Sequence, residues 1–183
     1  MAKYSGVVST LGPKGTDSEH EALAHFSEIR LFPSFADACH HAQETDGYAL
    51  VPTGCLEYKN GELAVAWVDL HFSLIQRMRL VAVWESPTKP MCLAINRDRV
   101  TNRELIRTIA LHRATAVFAK QACAGADITY VNSKPLAVNA AANGQVDACI
   151  GSVDVVAKTP LEPVEIFNPT MVWTLYGPHR PAP

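Results

Sequence analysis

Within seven positions near its start the chain places Gly12-Pro13-Lys14-Gly15-Thr16-Asp17-Ser18. The glycines let backbone approach a bound group, and a helix start offers unpaired N–H groups at the positive end of its dipole. Thr16 and Ser18 add hydroxyls and Lys14 adds a charge, so the set suits a carboxylate held at the Gly15 backbone. The same residues also read as a plain helix start, because Thr16-x-x-Glu19 and Ser18-x-x-Glu21 both fit the capping box. A second turn of this kind is His112-Arg113-Ala114-Thr115, and a third helix start follows at Asn132-Ser133. His112 is the candidate proton donor, since an unperturbed imidazole titrates near neutrality. A histidine at a strand end equally serves as a structural hydrogen-bonding group.

The elements that position these residues are legible from periodicity. Val7, Val8 and Leu11 make a strand that enters the first turn, and Ala22, Leu23 and Phe26 paint a helical stripe after it. Residues 29–32 read as a second strand, and Ser34 caps a helix whose Phe35, Ala38, Cys39 and Ala42 share a face. Asp46-Gly47 ends that helix, and residues 48–51 form a third strand stopped by Pro52. The order repeats from residue 108: a strand over 108–111, a helix with Val117, Phe118, Gln121 and Ala122, and a strand over 128–131. Ser133 then caps a helix with Pro135 in its first turn, and a closing strand spans 147–150.

Two β-α-β-α-β units imply an α/β fold of two lobes with parallel strands, and ligands in such sheets bind outside the strands' carboxyl ends. The turns at Gly12–Ser18 and His112–Thr115 are therefore expected on opposite walls of one cleft, facing a ligand with two anionic groups. Strands over 78–84 and 91–95, joined by a loop over 85–90, are assigned to the first lobe. Asn96–Arg103 is assigned as the hinge, with Thr101-x-x-Glu104 capping a short helix, and Thr159–Pro163 as the return crossing. A last strand over 171–176 completes the first lobe, with Trp173 and Tyr176 filling its core, and Gly177–Pro183 is expected to fray. The first lobe is thus residues 1–97 plus 163–183, and the second 98–162.

With 183 residues, 48% of them hydrophobic, the chain can fill two small cores. A formal net charge of −2 and no basic tail give no sign of nucleic acid or an anionic membrane surface as partner. No stretch approaches the roughly 18 apolar residues of a membrane span, and the start lacks the apolar run of a signal peptide, so a cytoplasmic location is expected. The five cysteines form no C-x-x-C pair and are expected as free thiols; the seven histidines show no ligand spacing, so neither a metal nor another cofactor is expected. The pair His40-His41 is expected on a solvated helix face.

Leu11-Gly12-Pro13-x-Gly15-Thr16-x-Ser18, the strand Ala49-Leu50-Val51-Pro52, the strand-end His112 and Val131-Asn132-Ser133 resemble, in order, the catalytic domain of the prephenate dehydratase family. The resemblance runs from about Leu11 to Tyr176. It implies two lobes like a periplasmic-binding protein of the second type, a small dicarboxylate ligand and a homodimer. Neither the family's amino-acid-sensing domain nor a chorismate mutase segment is evident, so feedback by phenylalanine through such a domain is not expected. Two departures bear on chemistry. Family members follow the Val-Pro pair with Ile-Glu-Asn-Ser, where this chain has Thr53-Gly54-Cys55-Leu56. They also carry a late Thr-Arg-Phe, where this chain has Thr170-Met171-Val172. Methionine supplies neither the charge nor the planar fork of arginine.

Both departures resemble the non-aromatising prephenate decarboxylase branch of the bacilysin pathway. The resemblance implies a cofactor-independent lyase in antibiotic biosynthesis that decarboxylates prephenate or a related ring. Thr16, Ser18, His112 and Thr170 are its candidate catalytic residues; Gly15, Lys14, Thr53, Cys55, Thr115, Asn132, Ser133 and Met171 are its candidate binding residues. Cys55 reads as a small buried thiol rather than a nucleophile, since no base adjoins it. The alternatives are a dehydratase-like protein of the tropodithietic acid type, a true dehydratase giving phenylpyruvate, and a metabolite-binding protein without catalysis.

Overall fold

The computed structural model describes residues 3–59 and 61–179, and these fall into two compact units, one of residues up to 86 together with those from 170 on, the other of residues 87–169. In the first unit β1 (Val7–Leu11) leads to α1 (Asp17–His25), β2 (Glu28–Phe32), α2 (Phe35–Glu44) and β3 (Tyr48–Pro52). Local chemistry starts these helices. Thr16 caps α1 by accepting the Glu19 N–H, and Ser34 caps α2 by accepting the Asp37 N–H at 3.0 Å. The end of α2 is closed by the Gly47 N–H on the Ala42 carbonyl, with Asp46 between them at φ 50, a position that favours glycine.

Beyond β3 the chain builds a hairpin, β4 (Leu56–Lys59) and β5 (Glu62–Ala66), then α3 (Trp67–Leu74) and β6 (Met78–Pro87). The second unit holds β7 (Met91–Ile95), a 3-10 turn over Arg103–Leu105, β8 (Thr108–His112), a 3-10 turn over Arg113–Thr115, and α4 (Ala116–Ala122). It continues through β9 (Asp127–Val131), α5 (Lys134–Ala142), β10 (Ala148–Ser152), α6 (Val153–Val156) and β11 (Glu162–Phe167). The chain then returns to the first unit as β12 (Thr170–Pro178).

The two sheets share one plan. The first runs β2-β1-β3-β12-β6 and the second β9-β8-β10-β7-β11. Each has three parallel strands followed by an antiparallel fourth, β12 against β3 and β7 against β10. Helices cover both faces of the first sheet. Phe35, Cys39 and Leu74 of α2 and α3 pack with Val51 and Tyr176, while Ala22 of α1 and Phe26 pack with Val8, Leu50 and Trp173. Trp173 and Tyr176 are core residues, as their sequence context predicts.

Several expectations are corrected. Met91–Ile95 is not a strand of the first lobe: it is buried throughout and pairs with β10 and β11 in the second sheet. Asn96–Arg103 is not the hinge. Asn96 is buried and its amide donates to the Ala141 carbonyl at 2.9 Å, which fixes this segment to the second unit. Nor is Thr159–Pro163 the crossing, because Pro163 lies in β11 opposite Ala94. The chain crosses instead beside Pro87 and Pro169. The short helix near Glu104 is a 3-10 turn preceded by Asn102 without a side-chain cap. Leu23 points to solvent, and the inner face of α1 is Ser18, Glu21 and Ala22. His40 is exposed as expected, but His41 is half-buried, with Nδ1 2.9 Å from the Ser9 hydroxyl. In the expected tail, β12 continues through Pro178, and residues 180–183 lie outside the described residues. All five cysteines are free thiols. Among the described residues no helix is long and apolar enough to cross a membrane.

Candidate active site

In the first unit four chain segments meet at one edge of the sheet. Because β1 and β3 are parallel and β12 is antiparallel to β3, the ends of β1 and β3 share an edge with the start of β12. The Thr170 hydroxyl donates to the Glu85 carboxylate, which brings the end of β6 there too. At the first turn the Thr16 hydroxyl donates to the Leu11 carbonyl at 3.0 Å and accepts the Glu19 N–H at 3.2 Å. The Glu19 carboxylate reaches back to the Gly15 N–H at 2.5 Å. This is reciprocal capping, and it places an internal anion on the amide expected to hold a substrate carboxylate. Lys14 is exposed on the same turn, and Ser18 is buried against the sheet.

The turn after β3 is built against β12. Thr53 donates to the Val172 carbonyl through its N–H at 2.9 Å and its hydroxyl at 3.2 Å. Gly54 lies under Met171: a Cβ there would lie 3.2 Å from both Sδ and Cε, so the thioether would have to give by a small shift. Met171 therefore covers the turn with a thioether. Cys55 is buried, and burial first, then the Glu57 carboxylate and the Cys39 thiol, pushes its pKa up to about 12. At neutral pH it is a thiol and not a nucleophile.

One residue of this edge escaped the sequence reading. Glu21 is only 6% exposed on α1, and its carboxylate accepts the Trp84 indole N–H and the Ser86 hydroxyl, each at 2.6 Å, with His25 Nε2 3.1 Å away. It ties α1 to the end of β6 on either side of Glu85.

In the second unit the parallel pairing of His112 with Val131 puts both helix starts at one sheet edge. His112 Nδ1 accepts the Ala114 N–H at 3.3 Å, so the ring proton of the neutral imidazole sits on Nε2. Burial first, and then the Lys134 charge, lowers its pKa. The buried Thr115 donates to the His112 carbonyl at 2.7 Å, Ser133 caps α5 by accepting the Leu136 N–H, and Asn132 is exposed. The hydroxyl protons of Thr16, Thr53, Thr115 and Thr170 are thus all engaged within the protein, which leaves these oxygens as acceptors.

No family model and no curated protein matches the chain. Among solved structures it is similar to the prephenate dehydratase of Arthrobacter aurescens in complex with L-Phe, with 15% identity and a TM-score of 0.64 over 97% of this chain and 61% of that one. It is similar to the prephenate dehydratase of Staphylococcus aureus subsp. aureus Mu50, with 14% identity and a TM-score of 0.59 over 97% and 67%. The chain has an α/β fold of the type II periplasmic-binding-protein class. That fold also includes the periplasmic sulfonate-binding protein SsuA of a putative ABC transporter from Methylobacillus flagellatus KT, at 12% identity and a TM-score of 0.54 over 98% of this chain and 63% of that one. At such identities the likeness is one of fold, and this fold hosts both lyases and binding proteins. The chain spans 61% and 67% of the two dehydratase chains.

Proposed function

We propose that the chain is a cofactor-independent lyase acting on prephenate or a related cyclic dicarboxylate, which it decarboxylates without forming an aromatic ring. In this reading it works in the cytoplasm as a homodimer, in the biosynthesis of a secondary metabolite. One observation carries the proposal: the Thr170 hydroxyl donates to Glu85, and Met171, at the position where the resemblance to prephenate dehydratases implies an arginine, lies on Gly54. Aromatisation requires an acid to help the ring hydroxyl depart. A hydroxyl whose proton is held by an exposed carboxylate does not serve, and a thioether supplies no proton at all.

Decarboxylation then breaks only the carbon–carbon bond to the ring carboxyl. The electron pair moves through the diene, a ring carbon takes a proton, and the hydroxyl stays. Lys14 and the Gly15 amide, the latter in exchange with Glu19, are assigned to carboxylate binding; Thr16, whose proton lies on the Leu11 carbonyl, and the buried Ser18 hold that turn, with Thr53, Cys55 and Met171 shaping the wall beside it. Thr115, Asn132 and Ser133 are assigned to polar groups of the substrate. The proton is assigned to His112, whose imidazole is depressed by burial and by Lys134. A proton donor acts in its charged form, so consumption of prephenate falls as the pH rises through a value below the usual histidine range. A pH–rate profile flat across the acid range would remove His112 from that role.

Thr170→Val tests the carrying observation. Without a role as acid, the hydroxyl can be removed with prephenate consumption held within about threefold of wild type; a loss of about 100-fold, typical of a general acid, would contradict the reading. A metabolite-binding protein without catalysis is the second reading, supported by the sulfonate-binding protein that shares the fold. Thermal stabilisation by prephenate without its consumption would select it.

A further inference from the structure

The first unit has a cavity at the other edge of its sheet, away from the strand ends that carry Thr16 and Thr53. It measures about 350 Å³ and lies where β1 and β3 begin, lined by Val7 and Tyr48, by Arg30 of β2, and by His41 and Asp46 at the end of α2. Its walls are fixed. His41 Nδ1 lies on the Ser9 hydroxyl at 2.9 Å and its ring packs on Phe32, which leaves Nε2 as the ring's remaining polar atom. The Tyr48 ring packs on Phe26 with centroids 5.2 Å apart, and Gly6 at φ 114 passes close enough that a Cβ would meet that ring at 3.5 Å.

The cavity holds one permanent cation and one carboxylate. Among the described residues neither Arg30 nor Asp46 makes an ion pair, although both line the same space. Asp46 is exposed just beyond the last turn of α2. Its φ of 50 is a left-handed conformation that glycine adopts freely, and its charge lies at the negative end of the α2 dipole. An unpaired carboxylate and an unpaired guanidinium that line one cavity point to a ligand with both signs of charge. Asp46 disfavours a simple anion and Arg30 disfavours a simple amine, so the pair selects by exclusion as well as attraction.

We infer that this cavity binds a free α-amino acid, its carboxylate on the Arg30 guanidinium, its ammonium on Asp46 and its side chain against Val7 and Tyr48. The volume is at the small end of ligand sites, which suits one amino acid and not a peptide. The inference stands apart from the proposed lyase chemistry, whose residues occupy the opposite sheet edge.

The test is titration of the full chain with each standard L-amino acid at millimolar concentration, followed by calorimetry and by amide chemical shifts. At least one is expected to saturate, with shifts centred on Arg30, His41 and Tyr48. Arg30→Met and Asp46→Asn are each expected to weaken it by about tenfold or more, as the loss of a charge-assisted bond implies. Asparagine tolerates the left-handed backbone and Arg30 is exposed, so both variants are expected to melt like wild type. The deaminated acid of the same ligand should bind more weakly to wild type and more tightly to Asp46→Asn, which lacks the carboxylate that repels it. Thr170→Val, which belongs to the lyase reading, should bind the amino acid as wild type does. Absence of saturable binding by any amino acid, affinity unchanged in both variants, or shifts confined to Thr16 and Thr53 would each overturn the inference.

Discussion

Asp147→Ala is expected to lower the unfolding free energy by about 3 kcal/mol, the scale of removing a buried acceptor from several donors at once. Asp147 is 6% exposed just before β10. One carboxylate oxygen accepts the N–H groups of Arg107 and Thr108 at 3.0 and 2.9 Å, and the other accepts Arg99 Nε at 2.8 Å. Its own N–H faces the Thr108 hydroxyl at 3.0 Å, and its carbonyl accepts the Asn96 N–H at 2.9 Å. The residue therefore joins β8, β10 and the segment after β7. Arg99 is well exposed and regains water when the partner is lost, so most of the cost comes from the two stranded amides. Burial raises the Asp147 pKa, but the bonds from Arg107, Arg99 and Thr108 outweigh it and hold the carboxyl below the usual aspartate range. A carboxyl depressed by folding stabilises fully above its unfolded pKa and loses that contribution as the pH falls through the folded one. Urea melts should therefore show the gap between wild type and Asp147→Ala intact at neutral pH and closing in acid. A gap that widened in acid would contradict the assigned bonds.

Glu21→Ala is expected to cost about 2–3 kcal/mol, because it strands the Trp84 indole and the Ser86 hydroxyl in a largely buried setting. The effect should exceed stability alone. Trp84 and Ser86 flank Glu85, which holds Thr170, so release of the β6 end loosens the first unit's candidate edge. Glu21→Gln retains an acceptor for one donor and should recover about half of the loss. The readouts are the urea midpoint and the Trp84 indole proton in NMR, which shifts toward its solvent position when the bond is broken. An alanine variant as stable as wild type, with the indole signal unmoved, would show that this carboxylate is not the tie between α1 and β6.

What was legible in the sequence was what neighbours decide. Thr16, Ser34 and Ser133 cap helices because a hydroxyl needs only an amide three residues on, and all three do so. The doubled β-α-β-α-β order was legible for the same reason. Sheet membership is decided by distant partners, and there local pattern failed. Met91–Ile95 is an apolar run that suits either sheet, and only its pairing with Ser152–Ala148 and Phe167–Glu162 assigns it. The better signal was punctuation, since Pro87 lies at the crossing and the polar residues 96–103 do not. The hairpin carried a usable mark in Asn60-Gly61 between Tyr58 and Leu63, the strongest short hairpin sequence, and Gly61 takes a φ of 84. Glu21 carried a misleading mark, since Ser18-x-x-Glu21 fits a capping box but Thr16 is the cap and Ser18 lies within α1. A glutamate in a first helix reads as solvated until Trp84 and Ser86, more than sixty positions away, close over it.

The most direct test is to incubate the protein with prephenate and follow ultraviolet absorbance and product mass together. The expected result is loss of carbon dioxide with the hydroxyl retained and no rise in aromatic keto-acid absorbance. Accumulation of phenylpyruvate would mean that an acid does reach the ring hydroxyl, and the reading of Thr170, Glu85 and Met171 would then be wrong.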